Sequence, residues 1–187
     1  MGSSLKPGWT AVTDDNQTFT LNLPAQWQRL DRYDPEQEDA FIAALRQNDQ
    51  YQAALATYDA VANDRQLLLL DQAEPTETET AVPPFILVTR SQQISQLTPE
   101  QMTSFLEANL HVQRVNLEAS VNGREQVTYI TAQPYDDLIL RCQQLFYKSV
   151  DDDPDSYLIT GCVSEDNYST YTNIFHDILV SFQPLLR

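Results

Sequence analysis

Cysteine, glycine, lysine and histidine are all scarce in this chain. Of 187 residues, two are cysteine, four are glycine and two are histidine, and the only lysines are Lys6 and Lys148. Four glycines leave little material for a phosphate-cradling loop, and no Gly-x-Ser-x-Gly nucleophile turn or His-Glu-x-x-His metal helix is present. No Cys-x-x-Cys occurs, which argues against a redox catalyst. Positive charge is scarce too: 11 basic residues stand against 27 acidic ones, for a net charge of -16. Such a surface repels nucleic-acid backbones and anionic headgroups, so the expected partner is a protein with a basic surface or a small ligand, and not nucleic acid. Long apolar runs are also missing. "LLLL" at 67–70 and "FILV" at 85–88 are strand-sized, far short of the 18 or so residues a membrane helix needs, and no transmembrane segment is expected.

What remains is enough for one domain with a real core, since 42% of the residues are apolar and the length is close to that of a single folding unit. Residues 1–8, "MGSSLKPG", read as a flexible leader, behind which a targeting or lipid-anchor segment was removed; residues 9–187 read as the domain.

Periodicity divides the domain. In "TFTLNLP", Phe19, Leu21 and Leu23 alternate with polar residues, as a half-buried strand requires, and "WTAVT" is its partner across a turn at 14–17. From Asp34 and Pro35 the period becomes helical, with Phe41, Ile42, Leu45, Tyr51, Leu55, Tyr58 and Ala62 three or four apart, and a polar break at 47–50 divides the run in two. "RQLLLLDQ" is a strand whose unbroken apolar run calls for cover on both faces. The acidic piece "AEPTETETAVPP" offers nothing to bury and reads as a surface loop.

"FILVTRSQQ" is the next strand. Thr98 with Gln101 then makes a capping box for a helix carrying Met102, Phe105, Leu106 and Leu110. Four strands follow in a meander, joined at "VNG", "PYD" and "VDDDPD". A terminal helix, read as capped by Ser164, has the stripe Tyr168, Tyr171, Phe175, Ile178 and Phe182, with Pro184 beyond its end. The expected class is therefore α+β, an antiparallel sheet of about six to eight strands between helices, with a long C-terminal helix.

The opening "TFTLNLPAQW" and the closing "YLITGCVSEDNYSTYTNIFHDILVSF", a strand feeding directly into a helix that ends in Ser-Phe, resemble the PsbP-like fold family. That family includes the photosystem II extrinsic protein PsbP, related bacterial lipoproteins and a Ran-binding nucleotide-release factor. The resemblance implies an antiparallel sheet between helical layers and a binding or assembly role without catalysis. It carries no functional residue over, because no short motif here matches one closely enough.

The last hairpin holds the candidate site. Pairing Tyr147 with Tyr157 across "VDDDPD" sets Leu145 opposite Ile159 and Cys142 opposite Cys162, because each pair sums to the same number. Directly opposed residues are close enough for a disulfide after small adjustment. The alternatives are two reduced core cysteines or a bulge near Gly161 that sends them to opposite faces. A disulfide would indicate an oxidising compartment. Asp151, Asp152, Asp153 and Asp155 crowd the tip. Flanked by Tyr147 and Tyr157, they would form an anionic patch with an aromatic floor for a basic peptide or a cation. Three of them, Asp151, Asp153 and Asp155, are weak candidates as oxygen ligands for calcium, although the spacing is not that of an EF-hand; otherwise no cofactor is expected. The bland reading is a solvated turn using Asp and Pro for its geometry.

Catalysis has thin material. His176 adjoins Asp177, but successive helical residues point about 100° apart. His111 sits just after a helix end, where an imidazolium suits the dipole and caps the helix. Trp9, Trp27, Tyr33, Tyr129 and Tyr135 fall near strand ends, where they line a binding surface or, for Trp27 and Tyr129, close the core. The reading is a non-catalytic binding or assembly module of a bacterial envelope, located outside the cytoplasm. Its rivals are a cytoplasmic GTPase-associated adaptor and a hydrolase or thiol enzyme using Cys162 or His176.

Overall fold

The structure, a computed structural model, describes residues 5–14, 16–31, 42–43, 46–47, 51–60, 65–71, 82–90, 97–109, 111–121, 124–135, 138–148 and 156–185. Strands β1 (Trp9–Thr13), β2 (Phe19–Pro24) and β3 (Trp27–Asp31) come first, followed by helix α1 (Gln52–Ala60). Next come β4 (Arg65–Asp71), β5 (Phe85–Arg90), helix α2 (Pro99–Asn109), and the meander β6 (His111–Val121), β7 (Arg124–Tyr135), β8 (Leu138–Lys148) and β9 (Tyr157–Ser164). A 3-10 turn (Glu165–Asn167) leads into helix α3 (Tyr168–Val180), and a short β10 (Gln183–Pro184) follows. The start expected for the first helix at Asp34 and Pro35, and the acidic loop, lie outside the described residues.

Among the described residues two antiparallel sheets form. One has seven strands in the order β3-β4-β5-β9-β8-β7-β6, and the other has three, β1-β2-β10. β2 ends at Pro24, and after a turn at 25–26 the chain restarts as β3, which belongs to the large sheet. Pro184 does not simply lie beyond a helix, since Gln183 and Pro184 pair with Thr20 and Phe19 and close the small sheet. Proline is tolerated at such a position because the strand is short and at an edge.

The alternation within β4 shows how the large sheet is covered. Leu67 to Leu70 are all fully buried. Leu67 and Leu69 join a core formed with α3 and the small sheet, which includes Phe19, Leu21, Leu23, Phe175, Ile178 and Phe182. Leu68 and Leu70 join a second core with Ala53, Ala54 and Leu55 of α1. An apolar run without alternation is the pattern a doubly covered strand demands.

Local signals act as their chemistry requires. The Thr98 amide donates to Gln101 Oε1 at 2.8 Å, and the Gln101 amide donates to Thr98 Oγ1 at 3.2 Å, closing the capping box at the start of α2. In the β1–β2 turn, the buried Asp14 carboxylate accepts from the Thr18 amide, the Thr18 hydroxyl and the Phe19 amide at 2.6, 2.8 and 2.9 Å. Gln17 there takes a positive φ of 54°. Ser164 departs from its expected role. It precedes the 3-10 turn and makes no side-chain cap, while its Oγ accepts from Asn167 Nδ2 at 3.3 Å. His111 follows the end of α2 at Asn109 by two positions and opens β6. Before β1, Lys6 pairs with Asp177 of α3 and lies over the Trp9 ring, and the Gly8 carbonyl accepts from the Ala25 amide at 2.9 Å.

Candidate functional site

The β8–β9 hairpin adopts the register in which the paired positions share one sum. Tyr147 faces Tyr157, Leu145 faces Ile159 and Cys142 faces Cys162, and Gln143 stays paired with Gly161, so no bulge intervenes. The cysteine sulfurs are bonded, at 2.01 Å, with a Cα separation of 4.2 Å. Both residues are buried in the α1-side core beside Phe85 and Leu140, which removes Cys162 as a free thiolate. His176 is exposed on α3, on the opposite side of the sheet. Cys162 and His176 therefore do not meet.

Tyr147 and Tyr157 are not an aromatic floor beneath the acidic tip. Each is only 2% exposed, and both rings lie on the α3 face against Phe182, with centroids 5.5 and 5.2 Å away; Tyr157 also meets Phe19 edge-on at 5.6 Å. The physical reason is the end of α3, which delivers Phe182 onto the hairpin where β2 and β10 close the same corner. Burying two large rings against a third outweighs leaving them in water. Asp151, Asp152, Asp153 and Asp155 lie outside the described residues, and with them the calcium candidates. Among the described residues, no group of three His, Cys, Asp or Glu side chains is placed to hold a metal.

A polar cluster at the other end of the hairpin escaped the sequence reading. Arg141, one step beyond Cys142 on β8, pairs with Glu165 of the 3-10 turn, and its guanidinium lies 5.8 Å from the centre of the Tyr168 ring. Arg141 Nε and Tyr168 Oη are among the buried polar atoms with no hydrogen-bond partner. Burial pushes the Tyr168 hydroxyl above its ordinary value. The only signal of it in the sequence is an arginine within a strand of otherwise apolar character. Farther along α3, Tyr171 Oη donates to Asp71 at the end of β4 at 3.1 Å. These contacts fasten the helix to the sheet. They do not align a nucleophile with a base.

No family model matches the sequence, and no curated protein matches it. Solved structures match it nearly end to end. Cyanobacterial PsbP (CyanoP) from Synechocystis sp. PCC 6803 aligns over 99% of this chain and 97% of its own, at 12% identity and a TM-score of 0.55. LpqN, involved in cell envelope biogenesis of Mycobacterium tuberculosis, aligns over 95% and 91%, at 10% identity and 0.51. The Ran-binding protein Mog1p of Saccharomyces cerevisiae aligns over 96% of both chains, at 10% identity and 0.51. The two-sheet α+β architecture closed by a terminal helix is the PsbP-like fold. This chain has that fold, as the resemblance carried by β2 and by β9 with α3 implied. No helix among the described residues is long and apolar enough to cross a membrane.

Proposed function

We propose that the protein is a non-catalytic binding or assembly module that works outside the cytoplasm, in the cell envelope or beyond it. The observation that carries this reading is the buried Cys142–Cys162 bridge between neighbouring strands. Disulfides of this kind form and persist in oxidising compartments and are rare where thiols are kept reduced. The likeness to LpqN, a protein of envelope biogenesis, supports the same compartment. The charge of -16 supports a basic protein partner or a cation. With Tyr147 and Tyr157 in the core, the contribution of Asp151, Asp152, Asp153 and Asp155 to such a partner is charge alone. Replacing all four with asparagine is then expected to weaken partner binding at low salt and leave the fold intact.

The likeness to the Ran-binding Mog1p supports a second reading, a cytoplasmic adaptor. Thiol chemistry separates the two. Intact mass is measured after alkylation under denaturing conditions, on protein whose thiols were trapped at cell lysis. No label before reduction and two after it support the extracytoplasmic module. Two labels without reduction overturn it and leave the adaptor.

A further inference from the structure

Just before β1 the chain folds back on itself. In the run Lys6, Pro7, Gly8, Trp9 the Trp9 amide donates to the Lys6 carbonyl at 3.1 Å, with Pro7 and Gly8 at the turn and Gly8 at a positive φ of 75°. That is the residue order of a type II turn: proline sets the second position, and glycine takes the third without strain. The Gly8 carbonyl also accepts from the Ala25 amide, which ties the turn to the segment between β2 and β3. Lys6 is thereby carried back over its own turn. Its Nζ lies 5.5 Å from the centre of the Trp9 ring and pairs with Asp177 Oδ2 of α3. An indole face from one end of the chain and a carboxylate from the other are brought together as a holder for one cation.

Lys6 fills that holder loosely. Its side chain is 55% exposed and that of Asp177 is 30% exposed, so water competes for both charges and the pair is of the weak, exchangeable kind. An ammonium is also the poorer fit. It offers a point charge, whereas a guanidinium stacks flat on an indole while its fork engages a carboxylate. A chain of net charge -16 attracts cations to its surface.

We propose that Trp9 and Asp177 form a recognition site for an arginine side chain of the basic partner, and that Lys6 is its internal occupant, displaced when the partner binds. The proposal rests on the reading of a basic partner and gives one of that partner's charges a specific seat. On exchange the Lys6 ammonium returns to water and a guanidinium takes its place, so the charge of the site is unchanged. Affinity there is set by the difference between the two cations, which makes the site selective for arginine over lysine.

The test uses the two tryptophans of the chain, of which Trp27 is buried and serves as an internal control. The full chain, labelled with nitrogen-15, is titrated at constant ionic strength with Nα-acetyl-arginine amide. The two indole N–H resonances are followed, assigned with Trp9→Phe. The Trp9 resonance is expected to shift and saturate while that of Trp27 stays, and Nα-acetyl-lysine amide is expected to bind more weakly. Lys6→Gln removes the competitor and is expected to tighten the arginine probe about fivefold, the factor by which internal occupancy lowers the competent fraction. Asp177→Asn is expected to weaken it about fivefold, the scale of one surface ion pair. Melting curves run beside these; if Lys6→Gln impairs folding, Lys6→Arg replaces it and is expected to weaken the probe, because the internal occupant is then the better one. No saturable shift of Trp9 overturns the proposal. So does an affinity indifferent to Lys6→Gln or to Asp177→Asn, or an equal shift of both indoles, which marks a general effect of charge. A basic partner that binds without moving the Trp9 resonance overturns this site and keeps the reading of a basic partner. Two free thiols at lysis overturn the compartment and leave this site standing.

Discussion

The hydroxyl of Tyr171 donates to a carboxylate oxygen of Asp71 at 3.1 Å, across 100 positions of sequence. It fixes α3 to the end of β4, and Asp71 is itself buried, with its amide donating to the Pro84 carbonyl at 3.0 Å. The Tyr171 hydroxyl is pushed up to about 12, first by burial, then by the charge of Asp71 and then by the hydrogen bond to it. An unfolded tyrosine ionises near 10. Because the folded value is the higher, the contribution is whole below about 10 and is lost as pH rises from about 10 to about 12. Denaturant midpoints are expected to fall over that window, and Tyr171→Phe to reduce the fall. At neutral pH the same substitution is expected to cost about 1 kcal/mol. An unchanged alkaline fall in the variant would detach the effect from Tyr171.

Gly161 has no room for a methyl group. A Cβ there would meet Ile86 Cδ1 at 2.7 Å and Phe175 Cδ1 at 2.9 Å. The isoleucine tip can turn away, but the Phe175 ring is buried and held on α3 against β9. Gly161→Ala is expected to destabilise by about 1 to 3 kcal/mol, the usual cost of overpacking a core. Adding Phe175→Leu is expected to recover part of that loss, so the pair should be non-additive in a double-mutant cycle. Additive losses would show that the methyl does not press on the ring.

Phe182 closes the corner where the two sheets and α3 meet. Its ring centroid lies 5.3 Å from Phe19, 5.5 Å from Tyr147 and 5.2 Å from Tyr157. Phe182→Ala and Phe175→Ala are each expected to cost about 3 to 5 kcal/mol by denaturant unfolding, the range for truncating a buried phenylalanine. Near-neutral midpoints would mean that α3 does not hold the sheet.

These contacts mark the boundary of what sequence could reveal. Local rules identified the Thr98–Gln101 box, alternation identified β2, an unbroken apolar run identified the doubly covered β4, and pairing across the turn identified the β8–β9 register. Each depends only on residues a few positions apart or on a sum of two numbers. The burial of Tyr147 and Tyr157 was hidden because in sequence they flank an aspartate-rich turn, while Phe182 packs against both rings and Phe19 against Tyr157. The split into two sheets, β3 after Pro24 and the return of Gln183 to β2 were hidden for the same reason. The Arg141–Glu165–Tyr168 cluster joins a strand to a turn 24 positions on, and no periodicity marks such a meeting.

The Cys142–Cys162 bridge separates stability from chemistry. Both cysteines are buried and 20 positions apart. On the chain-entropy account, closing that loop in the unfolded chain stabilises the native state by about 3 kcal/mol. Cys142→Ala with Cys162→Ala keeps small apolar groups in the α1-side core, so the fold is expected to survive with a loss of that order, measured by denaturant unfolding against the oxidised wild type. The unfolded states differ in compactness, so the denaturant slope is expected to rise when the bridge is absent. Binding to a basic partner is expected to be unchanged in the folded double variant, because neither sulfur reaches the surface. A loss of binding in protein that still melts cooperatively would give the cysteines a direct part in recognition, and the buried bridge could not then be purely structural.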